Sequence, residues 1–116
     1  MIKETIIEDN KEYQIYVGRN AKENWNLIDQ LNDKNCLWFH VEDKPSCHVF
    51  IVKPFECDSI PRDVIIKAAQ LCKFYSKYKN DKKVKIIYTE INNIKKGKDC
   101  GSVSIINLKK LENITI

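Results

Sequence analysis

The sequence has no long apolar run and few of the residues that break regular structure. No stretch approaches the roughly 18 consecutive apolar residues of a transmembrane helix, and residues 1–5 carry no apolar segment of the kind found in signal peptides. Only three Gly and three Pro occur, which excludes collagen-like and Pro-rich chains. We therefore predict a cytoplasmic protein that makes no membrane contact.

What is present is an ordinary globular composition. Of the 116 residues, 43% are apolar and 31% are charged. A chain of this size buries about two-thirds of the surface that its unfolded form exposes, which is enough for one core and too little for two. Residues 1–116 are therefore predicted to form a single domain.

The cysteine pattern contains no CxxC pair, and the number of cysteines is odd. These features argue against a zinc site and against a redox dithiol, and cytosolic thiols are normally reduced. We expect no metal and no cofactor. Cys72 falls in the apolar stripe of a predicted helix and should be buried as a small apolar residue. The five cysteines are Cys36, Cys47, Cys57, Cys72 and Cys100.

Charge is distributed unevenly along the chain. Residues 1–61 hold seven Lys or Arg against eleven Asp or Glu, whereas residues 62–110 hold thirteen against four. A basic half of this kind predicts a polyanionic partner. However, eighteen of the twenty basic residues are Lys, a bias that AT-rich coding sequences also produce. The lysine count alone therefore leaves the nucleic-acid partner and the genomic bias equally open.

Apolar periodicity predicts an α+β fold. Alternation over residues 5–8 and 13–17 predicts a β-hairpin, and helical spacing recurs over 21–32 and over 61–79. Because strands arrive in pairs, the sheet should be mostly antiparallel, with two helices and the order ββαββαβββ. The other predicted strands cover residues 37–41, 49–52, 84–89 (with Ile91 and Ile94 as an extension), 103–108 and 113–116.

Five residues around the start of the first predicted helix form the pattern G-R-N-x-x-x-N-x-x-L. They are Gly18, Arg19, Asn20, Asn24 and Leu27, and the pattern resembles the signature of the NFACT-R domain of ribosome-quality-control NFACT proteins. The resemblance implies an RNA-binding module that faces tRNA or rRNA. Further blocks that are similar to the family follow in order over 37–41, 46–49, 68–77, 84–89 and 94–103.

Some positions depart from the family pattern. Asn35 and Cys36 stand where the family usually has an Asp before the tryptophan, and the loop over 95–101 lacks the family's prolines. The large NFACT proteins also carry further domains that do not fit in 116 residues. The resemblance therefore implies the narrower property of RNA binding, and not the tailing of stalled peptides.

The signature residues also suggest an anion site on elementary grounds. Gly18 permits close approach of the backbone, and a helix that begins after Asn20 offers free N–H donors and a partial positive charge. Arg19 and Lys22 flank this helix start, and Asn24 lies one turn further along. We predict that Arg19, Asn20, Lys22 and Asn24 contact RNA phosphates. The alternative is that this segment is only an ordinary capped helix.

Two histidines and a tryptophan lie around the second pair of strands. His40 and His48 flank a Pro-containing loop, so their imidazoles can meet on adjacent strands. Imidazole can contact phosphate, stack on a base, act as a general base, or bind zinc if a third ligand such as Cys47 joins. Trp38 is a core residue if both sheet faces are covered, and a stacking platform for bases if they are not.

A basic segment follows the fifth predicted strand. Lys95, Lys96 and Lys98 surround Gly97 in a predicted loop. Flexible ammonium groups of this kind suit phosphate contact without base readout. The alternative is a loop that is simply solvated.

The favoured function is a binding module for structured RNA that has no catalytic activity. tRNA and rRNA are the expected partners, DNA is a further candidate, and a ribosome or ribosome-associated protein is a further expected contact. One alternative is a protein-interaction module that docks on a ribosomal or chaperone partner. A second is a small hydrolase or nuclease that uses Cys47 with His40 or His48, although no carboxylate pair or Gly-rich loop supports a reaction centre.

Overall fold

The computed structural model of the chain describes residues 1–54 and 59–116, and its elements form three layers. A six-stranded sheet lies in the middle, one helix covers each face, and a small hairpin sits beside the first helix. The strands are β1 (Ile2–Glu8), β2 (Lys11–Gly18), β3 (Cys36–Val41), β4 (His48–Val52), β5 (Lys85–Glu90), β6 (Ile94–Lys96), β7 (Val103–Ile105) and β8 (Glu112–Thr115). The helices are α1 (Ala21–Leu31) and α2 (Arg62–Phe74), with 3₁₀ turns at Ile91–Asn93 and Leu108–Lys110.

The main sheet has the order β1-β2-β4-β3-β5-β8, and every pair of neighbours in it is antiparallel. This confirms the predicted α+β class with two helices. The element order contains one strand more than predicted after α2. The turn at Ile91–Asn93 ends β5, so that Ile94 begins a separate strand that pairs with β7.

Alternation along the strands assigns each side chain to one of two cores. Residues such as Val17, Phe39 and Val49 face α2 and form the larger core. Their neighbours Trp38 and Phe50 face α1 and the β6–β7 hairpin in the second core. Both sheet faces are therefore covered, which explains why the sequence of β4 is continuously apolar over Val49–Val52.

The two helices differ in how closely they follow the prediction. Asn20 caps α1 by accepting a hydrogen bond from the backbone N–H of Glu23 at 2.9 Å. Helix α2 ends at Phe74 instead of residue 79, and just beyond it the backbone N–H and the hydroxyl of Ser76 both donate to the Lys73 carbonyl, at 3.1 and 2.7 Å. Within the described ranges, neither helix is long and apolar enough to cross a membrane.

Three of the described cysteines are buried free thiols, and Cys72 is among them, as predicted. Burial raises the pKa of the Cys36 thiol to about 12, so this thiol stays protonated and unreactive at neutral pH. Cys100 is an exposed free thiol. Cys57 lies outside the described residues.

Candidate nucleic-acid interface

The corner between β2 and α1 is built by the signature residues. Gly18 pairs with His48 in the ladder between β2 and β4. A Cβ atom at Gly18 would lie 2.2 Å from Oδ1 of Asn24, closer than atoms can approach. Asn24 is 4% exposed, and this oxygen accepts a hydrogen bond from the backbone N–H of His48 at 3.3 Å. The glycine therefore makes room for the asparagine that ties α1 to β4.

Arg19, which precedes α1, is held by a carboxylate on the first turn of that helix. Its Nη2 lies 3.1 Å from Oε2 of Glu23, and its backbone N–H donates to Oε1 of Glu23 at 3.0 Å. Hydrogen bonds from the guanidinium lower the pKa of the Glu23 carboxyl to about 2, so Glu23 is ionised at neutral pH. The arginine is exposed, but part of its charge is already balanced.

The two histidines meet on the α1 side of the sheet, as their positions allowed. Their ring centroids are 4.9 Å apart, and the rings are nearly perpendicular. Trp38 stacks on His40 with ring centroids 5.6 Å apart and donates from Nε1 to Nδ1 of His48 at 3.1 Å. Trp38 and His48 are each 1% exposed, so the tryptophan is a core residue, as expected for a sheet with both faces covered.

Hydrogen bonding fixes the tautomers of both imidazoles. Since indole N–H only donates, Nδ1 of His48 accepts and its proton sits on Nε2. Nδ1 of His40 bonds to the carbonyl oxygen of Val41, so this nitrogen carries the proton and Nε2 accepts. Burial lowers the pKa of His48 to about 3 and also lowers the pKa of His40. Both rings are therefore neutral at pH 7.

An open pocket of about 520 Å³ lies above this cluster. Asn20, Asn24 and the start of α1 form one wall, and the loop between β3 and β4 forms a second. Residues 100–103 and Ile105, around β7, close a third side. The lining residues are Asn20, Ala21, Asn24, Trp38, His40, Asp43, Lys44, Pro45, Ser46, His48, Ile87, Cys100, Gly101, Ser102, Val103 and Ile105.

The β6–β7 hairpin is attached to α1 by specific contacts. Gly101 has a φ of +87°, and a Cβ atom there would lie 2.7 Å from Ala21, so the hairpin loop rests directly on the start of the helix. The Trp25 indole donates to the carbonyl of Ser102 at 2.8 Å. Lys96 Nζ lies 2.6 Å from Oδ1 of Asp29 and 5.0 Å from the Trp25 ring centroid.

These contacts correct the prediction of a basic loop. Lys95 and Lys96 lie in β6, and Lys96 is bound to α1, so only Lys98 is in the loop as predicted. Neither Lys95 nor Lys96 lines the pocket, whereas Cys100 and Gly101, which follow Lys98 in the loop, do.

The proposed cysteine and histidine pair of a hydrolase does not form. The Cys47 thiol donates to the carbonyl of Cys72 at 3.3 Å, in the core that faces α2. His40 and His48 project to the opposite face of the sheet, with Trp38. The same separation removes Cys47 as a third metal ligand for the two imidazoles.

Five of the ten residues singled out from the sequence therefore line one pocket. They are Asn20, Asn24, Trp38, His40 and His48. Arg19, Lys22 and Lys98 lie beside it in the chain, next to Asn20, Ala21 and the hairpin loop. Sequence reasoning missed Ser46 and Ile105 as lining residues; Ser46 belongs to a block that is similar to the family, whereas no local pattern marks Ile105.

Comparison with known proteins shows similarity over most of the chain. The family model of the NFACT protein RNA binding domain matches residues 3–107. The chain belongs to this family. The C-terminal part of the fibronectin/fibrinogen-binding protein from Streptococcus suis has the same fold, with a TM-score of 0.80 and 26% identity over 98% of this chain and 44% of that chain.

Curated relatives share about a third of their aligned residues with this NFACT-R domain. The Rqc2 homolog RqcH of Bacillus subtilis is 32% identical over 71% of this chain and 14% of its own length. Coiled-coil domain-containing protein 25 of Danio rerio is 31% identical over 90% of this chain and 52% of its own. Protein JLP2 of Saccharomyces cerevisiae is 34% identical over 84% of this chain and 50% of its own length. The chain thus spans about half or less of the length of these relatives.

Proposed function

We propose that this NFACT-R domain binds structured RNA, tRNA or rRNA, mainly through phosphate contacts around the pocket at the start of α1. The observation that carries the proposal is the convergence of signature residues on one open site. Asn20 and Asn24 of the helix, and His40 and His48 of the sheet, line the same pocket. The family to which the chain belongs is described as RNA-binding.

The charges around the pocket suit a polyanion. Lys22 follows Ala21 on the first turn of α1, Lys98 lies in the loop that rests on Ala21, and Lys44 lies on the opposite wall. All three lysines are exposed. Asp43 is an acidic residue in the same lining, so phosphates are expected near the helix start and the hairpin, away from the Asp43 carboxylate.

A role in ribosome-associated quality control in the cytoplasm follows as part of the same proposal. It rests on the similarity to the proteins named Rqc2 homolog RqcH, of which this chain matches a small part. The chain would then supply RNA contact, while catalysis plays no part in its own action. DNA is a competitor that the same phosphate chemistry admits.

The experiment is a fluorescence anisotropy titration with a transcribed tRNA, an rRNA hairpin and a DNA duplex of equal length. The test variant combines Lys22→Ser, Lys44→Ser and Lys98→Ser. The matched control combines Lys67→Ser, Lys82→Ser and Lys83→Ser, which removes the same charge at exposed sites outside the pocket lining.

The pocket variant should flatten the dependence of log K on log salt by about two to three units, roughly 0.7–0.9 for each lost phosphate contact. The control should flatten it less. Equal losses in the two variants would show that the RNA lies elsewhere on the molecule, and stronger binding of the DNA duplex than of both RNAs would overturn the choice of RNA.

A further inference from the structure

The pocket has features that phosphate binding does not use. Its walls include the half-buried apolar side chains of Ile87, Val103 and Ile105, and its lining includes the buried aromatic ring of Trp38. Phosphate groups gain nothing from apolar walls. A volume of about 520 Å³ falls within the range of about 300–1,000 Å³ that is typical of sites for small organic groups.

One polar atom at the pocket, Nε2 of His48, makes no hydrogen bond to a described residue. Nε2 of His48 carries a proton, because Nδ1 accepts from Trp38. In the part of the chain that the structure describes, this N–H donates to no residue, yet no buried side-chain nitrogen or oxygen is left unsatisfied. His48 is 1% exposed, so the small accessible surface that it keeps includes Nε2 and faces the pocket that it lines.

His40 supplies a hydrogen-bond acceptor beside this donor. Its Nδ1 is bonded to the Val41 carbonyl, so its Nε2 is an acceptor. The two rings are in contact, with centroids 4.9 Å apart. The pocket thus offers a neutral N–H donor beside a neutral acceptor, and hydrogen bonds to the rest of the fold set which ring has which role.

We propose that this pocket binds one unpaired nucleobase of the RNA, held against the apolar walls and hydrogen-bonded to Nε2 of His48 and Nε2 of His40. A nucleobase is a planar, uncharged heterocycle whose edge carries adjacent donors and acceptors, and it matches the pair of imidazoles in both respects. The lowered pKa values of the two histidines support this assignment, since neither ring acquires the charge that would favour phosphate. The proposal rests on the proposed function, because the base is delivered by an RNA that the surrounding lysines hold.

The experiment compares five RNA hairpins that differ only at one bulged nucleotide in the same stem. Four of them carry one of the four bases there, and in the fifth the bulged nucleotide is abasic, so the phosphates and the sugar are unchanged. Binding is measured by anisotropy with each of the four bases in turn in the bulge. The wild-type protein should bind the best of the four base-containing hairpins at least about fivefold more tightly than the abasic one.

Two variants locate the preference. His40→Phe keeps an aromatic ring on Trp38 but removes the acceptor, and Ile105→Phe fills the pocket from its half-buried wall. Both should abolish the preference for the base-containing hairpin, with a larger loss of affinity for that hairpin than for the abasic one. Lys98→Ser is the control, and it should weaken both hairpins equally. Melting curves identify any variant that has lost its fold.

A second measurement needs no RNA and does not depend on a variant. The imidazole ¹⁵N resonances of His40 and His48 are followed while ribonucleosides, which carry no phosphate, or inorganic phosphate are added. Nucleosides should shift both Nε2 resonances, and phosphate should not.

Three outcomes are decisive. Equal affinity of the wild type for all hairpins would overturn the base pocket and leave RNA binding intact. Absence of binding to any hairpin would overturn the proposed function itself. Imidazole shifts with phosphate and none with nucleosides would assign the pocket to phosphate instead.

Discussion

At the scale of single residues, the signature is explained by packing before it is explained by binding. Gly18 is needed because Asn24 occupies the space that a side chain would take, and Asn24 is needed because it holds the backbone of His48. Asn20 caps the helix, and Arg19 is bound to Glu23. The residues that look like ligands therefore first position the wall of the pocket.

Replacement of Gly18 by Ala tests this reasoning. The new Cβ would lie 2.2 Å from the buried Oδ1 of Asn24, so the corner must shift. We expect a loss of about 1–3 kcal/mol in the free energy of unfolding, measured by urea titration. Gly97→Ala is the matched control, because its Cβ would chiefly meet the exposed hydroxyl of Ser102, which can rotate away with the loss of its hydrogen bond to the Asp99 carbonyl, so this variant should be destabilised less. A Gly18→Ala protein as stable as the wild type would contradict the account.

His48 predicts a specific dependence of stability on pH. Its pKa is about 3 in the folded protein and about 6.5 in the unfolded chain. Between these values the unfolded state binds more protons than the folded state. The contribution of His48 to the free energy of unfolding is therefore fully present above about pH 6.5 and falls as the pH is lowered towards 3. The contribution of this residue should change by about 1.4 kcal/mol per pH unit in that window.

Urea unfolding at pH 7.5, 6.5 and 5.5 measures this dependence before most carboxylates titrate. His48→Gln should be less stable at pH 7.5, because it disturbs the bond from Trp38, but its stability should decline less between pH 6.5 and 5.5. Parallel curves for the two proteins would show that His48 does not remain neutral in the fold.

At the scale of elements, sequence patterns correctly predicted the helices and strands that depend on interactions between residues close in the chain. The hairpin of β1 and β2, the cap of α1 and the alternation of β3 all depend on neighbours in the chain, and each was predicted within a few residues. The early end of α2 coincides with a competing local bond, from the Ser76 hydroxyl to the Lys73 carbonyl. Periodicity does not detect such a competitor.

Strand β7 was predicted, but β6 as a separate strand and its pairing with β7 in a hairpin were missed, for a different reason. Its attachment uses contacts between distant parts of the chain, such as Lys96 with Asp29 and Trp25 with Ser102. The meeting of His40 and His48 could be anticipated from the loop between them, but their fixed tautomers could not, since the hydrogen bond from Trp38 to His48 depends on the register of β3 and β4.

The hairpin lysines are predicted to separate into structural and binding roles. Lys96→Ser removes an ion pair with Asp29 and a contact with the Trp25 ring, and it should destabilise the fold by about 1 kcal/mol. Lys98→Ser alters an exposed side chain in the loop, so it should change stability by less than about 0.5 kcal/mol while lowering RNA affinity. Thermal melts and anisotropy on the same samples measure both effects. The reverse pattern would show that the loop, and not β6, anchors the hairpin.

At the scale of the whole molecule, the two faces of the sheet differ in composition and in accessibility. The face towards α2 is an apolar core of aliphatic, aromatic and thiol side chains. The face towards α1 ends in the pocket, where the signature, the two histidines and the hairpin loop meet. Residues 62–110 supply most of the excess positive charge, so long-range attraction of a polyanion is a property of the molecule and not of one residue.

The salt dependence of affinity for structured RNA tests the central claim most directly. If about five phosphates are contacted, log K should fall with log salt at a slope of roughly −3.5 to −4.5. The measurement is an anisotropy titration of the wild-type domain with tRNA at several salt concentrations. A slope in that range is the predicted result. A slope near zero would contradict RNA binding through phosphates and would favour a protein partner instead.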